Sequence, residues 1–239
     1  MPTINYDIWQ LLDSGTSSAY LSNDPPVVST AHFFVDNSVS PAQQIFTREL
    51  SSNFTMGTTV ISQTDGAQNP ANWPVSTGGE MINTGKIWKT PNVLGGSGNI
   101  VSHEKLIIAR LFKDEGGTVT PIVNYYLENG EAYFIYNGTK YTLVDSSNNT
   151  TTFADGDAFK MKIRFKGSTL SVYAYKNGVT YSRVLNSTTI LAADRTSTAR
   201  FYFTTGVEPQ TAGLTQTQIN NLSESKIGWS TVVVNLNLV

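Results

Sequence analysis

The chain has 239 residues, 14% of them charged and 39% hydrophobic, and its 16 basic and 18 acidic side chains give a net charge of −2. That balance excludes a global pull onto nucleic acid or an anionic membrane, so any anion site must be local. With no cysteine and only two histidines, disulfides, thiolate nucleophiles, Cys-type zinc sites and a three-histidine metal site are excluded as well.

Met1 to Gln10 lack a basic stretch followed by an apolar core, and no apolar run reaches the length of a membrane span. The expectation is a soluble chain without an export signal in the stretch given, with no compartment fixed. Early strands are expected at Ala31 to Val35 and Gln44 to Leu50, while Ser22 to Pro26 and Ser62 to Gly79 read as loops through their Pro, Gly and Asn content. Leu106 to Phe112 is a further strand. Thr120 to Leu127 and Glu131 to Tyr136 form a hairpin around Glu128-Asn129-Gly130, and Asn137-Gly138 turns the chain into Thr139 to Val144. Phe159, Met161, Ile163 and Phe165 alternate with Lys160, Lys162, Arg164 and Lys166, giving a strand with one buried and one basic face. Leu170 to Tyr175 and Val179 to Val184 continue the antiparallel meander. The chain closes with Arg200 to Gly206, a short helix capped by Thr215 and running to Leu222, and Trp229 to Val239. About a dozen short strands with little helix specify an all-β fold, a two-sheet antiparallel jelly-roll sandwich (concanavalin-like) forming one domain over residues 1–239.

No P-loop, dinucleotide fingerprint, nucleophile elbow or His-Glu-x-x-His motif is present, and no cofactor or metal is expected. Asp155-Gly156-Asp157 reads as a turn ahead of the Phe159 strand rather than a calcium loop. Three other segments are unlike ordinary strand filler: Thr47-Arg48-Glu49-Leu50, Gly85-Lys86-Ile87-Trp88-Lys89 in a region ending at Gly95-Gly96, and Phe201-Tyr202-Phe203-Thr204-Thr205-Gly206-Val207-Glu208-Pro209-Gln210. In order and spacing they resemble the β-jelly-roll polysaccharide lyases. Arg48-Glu49-Leu50 and the Tyr202 to Gln210 segment are similar to the first and last motifs of the alginate lyases of polysaccharide lyase family 7. Thr84-Gly85-Lys86 with Gly95-Gly96, followed by Arg110 on the next strand, resembles the loop and strand of the glucuronate and alginate lyases of family 14. This chain departs from those patterns at Leu106 to Phe112, where family 7 has Gln and His, at Glu208, which stands for a Tyr, and at Ile108, which stands for a Ser.

The resemblance implies β-elimination on an acidic, uronate-containing polysaccharide such as alginate or glucuronan. That chemistry needs cations or amides to neutralise the uronate carboxylate, and a Tyr or Lys to move protons. Lys86, Arg110, Tyr126 and Tyr202 are the expected catalytic residues, and Arg48, Glu49, Trp88, Lys89 and Gln210 the expected substrate contacts. The cleft tyrosine stays open among Tyr125, Tyr126, Tyr133 and Tyr136. The partner expected is an acidic polysaccharide, with neither nucleic acid nor membrane. A non-catalytic carbohydrate-binding module, with Trp73 and Trp88 stacking on sugars, and a structural coat or fibre protein are the competing readings on the same scaffold. The basic face of Lys160, Lys162, Arg164 and Lys166 is either a solvated sheet face or a polyanion surface.

Overall fold

A computed structural model describes residues 9–13, 20–21, 33–36, 38–48, 64–68, 73–210, 212–236 and 238. The strands run in chain order as β1 Trp9–Asp13, β2 Tyr20–Leu21, β3 Phe33–Asp36, β4 Gln43–Arg48, β5 Thr64–Gln68 and β6 Gly79–Lys89. Next come β7 Asn92–Leu94, β8 Ile100–His103, β9 Lys105–Glu115, β10 Thr118–Glu128, β11 Glu131–Tyr136 and β12 Thr139–Thr142. The last five are β13 Ala158–Lys166, β14 Thr169–Lys176, β15 Val179–Leu185, β16 Arg200–Pro209 and β17 Ser225–Leu236. A single α-helix among the described residues, α1 Gln216–Asn220, starts with the capping box of Thr215 and Gln218.

The strands form a jelly-roll sandwich of two large antiparallel sheets. One has eight strands in the order β12-β11-β10-β9-β16-β5-β1-β2, and the other has seven in the order β15-β14-β13-β6-β17-β4-β3. The hairpins β10–β11, β11–β12 and β14–β15 close through Asn129-Gly130, Asn137-Gly138 and Asn177-Gly178, with both turn residues of each pair at positive φ. This backbone is the one that matches strand twist and that Asn-Gly supplies at least cost.

Period-two alternation then sorts the side chains. Phe159, Met161, Ile163 and Phe165 of β13 and Leu170, Val172 and Ala174 of β14 point into the core, where they meet Leu111, Tyr125, Leu127, Phe134, Phe201 and Phe203 of the opposite sheet. Each large apolar side chain removed from water in this way contributes about 1.5–3 kcal/mol. Side-chain hydrogen bonds also cross the core: Asn83 Nδ2 donates to Thr205 Oγ1 at 2.6 Å, Thr205 Oγ1 donates to the Ile108 carbonyl at 3.1 Å, and the Tyr125 hydroxyl donates to the Tyr173 carbonyl at 3.2 Å.

Three expectations change. Part of Ser62 to Gly79, expected as a loop, is strand β5, paired with β1 and β16. The Gly85 to Lys89 segment, expected in a glycine-rich loop, is the second half of β6, an eleven-residue strand near the middle of the seven-stranded sheet. Its inward positions Met81, Asn83 and Ile87 are buried, and the glycine has a packing reason. A Cβ on Gly85 would strike the Gly228 carbonyl of β17, so the residue that reads as a loop signal permits close strand approach. Trp73, a sugar platform in the competing binding-module reading, is instead 3% exposed. Its ring lies 5.2 Å from Phe201 and 5.5 Å from Phe203, and its backbone pairs with Phe201. The strands expected at Ala31 to Val35, Gln44 to Leu50 and Trp229 to Val239 appear with shifted bounds as β3, β4 and β17. His32, Glu49 and Leu50 lie outside the described residues.

Candidate functional site

The outer face of the eight-stranded sheet carries a cluster of polar side chains, and a β-bulge builds it. Along β9, Tyr125 pairs with Ala109 but Tyr126 with Ile107, so Ile108 is an extra residue in that strand; the same stretch is irregular against β16 between Thr205 and Glu208. Ile108 and Ala109 therefore both join the core, while Ile107 and Arg110 on either side face outward. Bulges re-aim side chains in this way. Ile108, where the family 14 pattern has an outward Ser, thus supplies core packing rather than a site group.

Arg110 is the centre of the cluster, with its side chain 4% exposed. Its Nε donates to Asn124 Oδ1 at 3.0 Å, and its Nη2 forms an ion pair with Glu208 Oε2. Glu208 Oε1 also accepts from Gln210 Nε2 at 2.7 Å. Charge-assisted hydrogen bonds of this kind are what allow a carboxylate and a guanidinium to stay ionised away from water.

Tyrosines flank the pair on both sides. Tyr126 on β10 stacks on Tyr133 of β11 with ring centroids 5.1 Å apart, and Tyr202 on β16 stacks on Phe112 of β9 at 5.1 Å. Burial raises the Tyr126 phenol above its ordinary range, with the charge of Arg110 pulling it part of the way back and that of Glu128 pushing it up. Tyr133 is raised further, by burial first and then by the hydrogen bond it donates to Glu128 Oε2 at 2.8 Å. Lys105 pairs with Glu128 at 3.9 Å, and Lys140 pairs with Glu131 at 2.9 Å while lying 3.9 Å from the Tyr133 ring.

The structure thus gathers Arg110, Tyr126, Tyr202 and Gln210 on one face. Of the four tyrosines left open by the sequence, Tyr126 and Tyr133 face outward, whereas Tyr125 and Tyr136 belong to the core cluster. Lys86, Trp88 and Lys89 are separated from this group. Lys86 lies opposite Ala158 and Gly228 within the seven-stranded sheet and alternates with inward Ile87, so it points away from the core on the far side of the sandwich. Its Nζ is 4.0 Å from the Trp88 ring; Trp88 Nε1 donates to Gln43 Oε1, and Lys89 pairs with Glu224 at 3.2 Å. Lys86 cannot share a carboxylate with Arg110 across a packed double layer. Arg48 ends β4 opposite Ser225, and only its backbone is described.

Sequence reasoning missed Asn124, Glu128 and the role of Glu208, and left Tyr133 as one of four alternatives. The signal for the first two was the alternation Asn124, Tyr126, Glu128 along one strand, a polar row on an outward face. The Arg110–Glu208 pair carried no comparable signal, because its partners are 98 residues apart and meet only through the bulge.

No protein-family model matches the chain, and no curated protein matches it in sequence. Solved structures do match in shape. A variant of alginate lyase A1-II' is 17% identical with a TM-score of 0.69, the match covering 98% of this chain and 96% of that one. A second variant of the same enzyme, described as a family 7 alginate lyase in complex with the substrate GGMG, gives the same identity and TM-score over 99% and 96%. The alginate lyase from Klebsiella pneumoniae is 12% identical with a TM-score of 0.67 over 98% and 96%. In fold, then, the chain is a β-jelly-roll sandwich similar to the family 7 alginate lyases along nearly its whole length.

Proposed function

We propose that the protein is a polysaccharide lyase that cleaves a uronate-containing chain by β-elimination on the outer face of the eight-stranded sheet. The observation that carries this reading is Arg110, held by Asn124 at the centre of that face between outward tyrosines. The support from outside the chain is the fold shared with alginate lyases, one of them seen with its substrate.

In the reaction, the C5 proton leaves to a base, the C4–O bond to the leaving sugar breaks, that oxygen takes a proton, and a C4–C5 double bond forms. Arg110 and Asn124 would receive the uronate carboxylate, lowering the cost of the charge that develops as the C5 proton departs. Tyr126, kept protonated by burial, is suited to donate to the leaving oxygen. Tyr202, on the other side of Arg110, is the candidate for accepting the C5 proton. Substrate must compete with Glu208 for the guanidinium.

That last point favours a second reading, a groove that binds an acidic glycan without cutting it. The guanidinium of Arg110 is already engaged by Glu208, which stands where the family 7 motif has its tyrosine.

Continuous near-ultraviolet absorbance on alginate, glucuronan and polygalacturonate decides between them, because elimination creates an unsaturated uronate. A rise that falls by roughly 10²-fold or more in Tyr126→Phe or Tyr202→Phe supports the lyase. Retention on a polyuronate gel with no product supports the binder, and neither retention nor product overturns both.

A further inference from the structure

The outer face of the seven-stranded sheet has the opposite electrostatic design from the candidate cleft. Cross-strand register places Thr180, Tyr175, Lys160 and Thr84 in one row, Ser182, Tyr173, Lys162 and Ile82 in the next, and Val184, Ser171, Arg164 and Glu80 in a third. Lys86 and Trp88 continue the face toward β17. Among the described residues Lys86, Lys160 and Arg164 have no carboxylate partner. The one acid in these rows, Glu80, is taken up by Lys162 at 3.6 Å and by Asn235 at 3.2 Å.

Aromatic rings hold the cations in place. Lys160 lies 5.0 Å from the Tyr175 ring, Lys162 4.2 Å from Tyr173 and Lys86 4.0 Å from Trp88, while Tyr173 and Tyr175 stack at 6.2 Å. Such contacts fix ammonium groups without neutralising them. Beyond this face, at the β15 edge, the chain forms a depression of about 630 Å³ whose wall includes Thr180, Ser182 and Arg183 together with Tyr141 and the acidic Asp145.

We propose that this face is a second binding surface, separate from the cleft, for a linear uronate polysaccharide. Cations at every second residue of β13 stand roughly 7 Å apart. That spacing fits a chain with isolated carboxylates and hydroxyls. It is sparse for duplex nucleic acid, which presents a charge about every 1.7 Å. The phenols and hydroxyls among the cations offer donors and acceptors to sugar hydroxyls. In a chain whose net charge is −2, these cations form a local positive surface complementary to a polyanion.

The test compares the full chain with Lys160→Gln/Lys162→Gln/Arg164→Gln, and with Lys160→Gln alone in case the triple variant is unstable. Binding is measured by retention in gels containing alginate or polygalacturonate, with dextran, single-stranded DNA and phosphatidylserine vesicles as comparison ligands. The expected result is at least tenfold weaker polyuronate binding in the triple variant and roughly threefold in the single one, with cleavage of short oligouronates unchanged. If cleavage is absent altogether but retention still depends on these three residues, this surface stands and the cleft reading falls. Equal retention of wild type and both variants overturns the proposal, as does preferential binding of DNA or vesicles over polyuronate.

Discussion

The two outer faces of the sandwich use the same residue types to opposite ends. On the eight-stranded side every described cation of the cluster meets a carboxylate: Arg110 meets Glu208, Lys105 meets Glu128 and Lys140 meets Glu131, and the first of these pairs is almost wholly buried. On the seven-stranded side Lys86 and Lys160 stand beside aromatic rings with no carboxylate partner among the described residues, while Lys162, beside Tyr173, also meets Glu80. The difference teaches that charge alone does not mark a site. Buried charge is a structural commitment with a large penalty for disruption, whereas exposed, ring-supported charge is available to a ligand at little cost to the fold.

The largest expected effect tests that contrast directly. Arg110→Ala strands the Glu208 carboxylate in a buried position and is expected to destabilise the protein by about 3–5 kcal/mol. Arg110→Met combined with Glu208→Leu removes both charges and is expected to recover most of the loss. Lys160→Ala on the other face is expected to change stability by no more than about 0.5 kcal/mol. Urea denaturation of the four proteins reads all of these values. Similar losses for Arg110→Ala and Lys160→Ala would erase the distinction between the faces.

The tryptophans sharpen it. Trp73 packs on Phe201 and Phe203 in the core, so Trp73→Ala is expected to cost about 3–5 kcal/mol. Trp88 gives up one hydrogen bond to Gln43 and its contact with Lys86, so Trp88→Ala is expected to cost about 1–2 kcal/mol. Thermal melts of the two variants, side by side, show whether the outer-face ring is a structural anchor or a surface group.

Legibility in the sequence divides along the same lines. Strands β10 to β15 were readable almost to the residue, because Asn-Gly turns and strict alternation such as Phe159 to Lys166 are local signals. Strand β6 was not, since Gly85 and Lys86 read as loop chemistry, and their strand identity depends on how closely β17 approaches. The candidate site was half readable as geometry. Arg110, Tyr126, Tyr202 and Gln210 were named from motif order, and the structure sets them on one face. Lys86 was placed with them because sequence spacing does not say to which of two sheets a strand belongs. The bulge at Ile108, which turns Arg110 toward Glu208, exists only in the pairing of β9 with both neighbours.

The smallest expected effect is in alkaline solution. Tyr133 is raised by burial and by Glu128, and Tyr126 by burial, so both phenols hold their protons more tightly in the folded chain than in the unfolded one. An unfolded tyrosine releases its proton near pH ~10. Stability from these groups is therefore fully present below that pH and is lost as pH rises from there through the higher folded values. Tyr133→Phe is expected to be less stable than wild type at neutral pH, through loss of the hydrogen bond to Glu128, yet to lose stability less steeply above pH ~10. Urea midpoints measured from neutral to strongly alkaline pH give both slopes. Parallel slopes for the two proteins would mean that the tyrosine cluster of the eight-stranded face is open to water, and the contrast between the two faces would narrow to the Arg110–Glu208 pair alone.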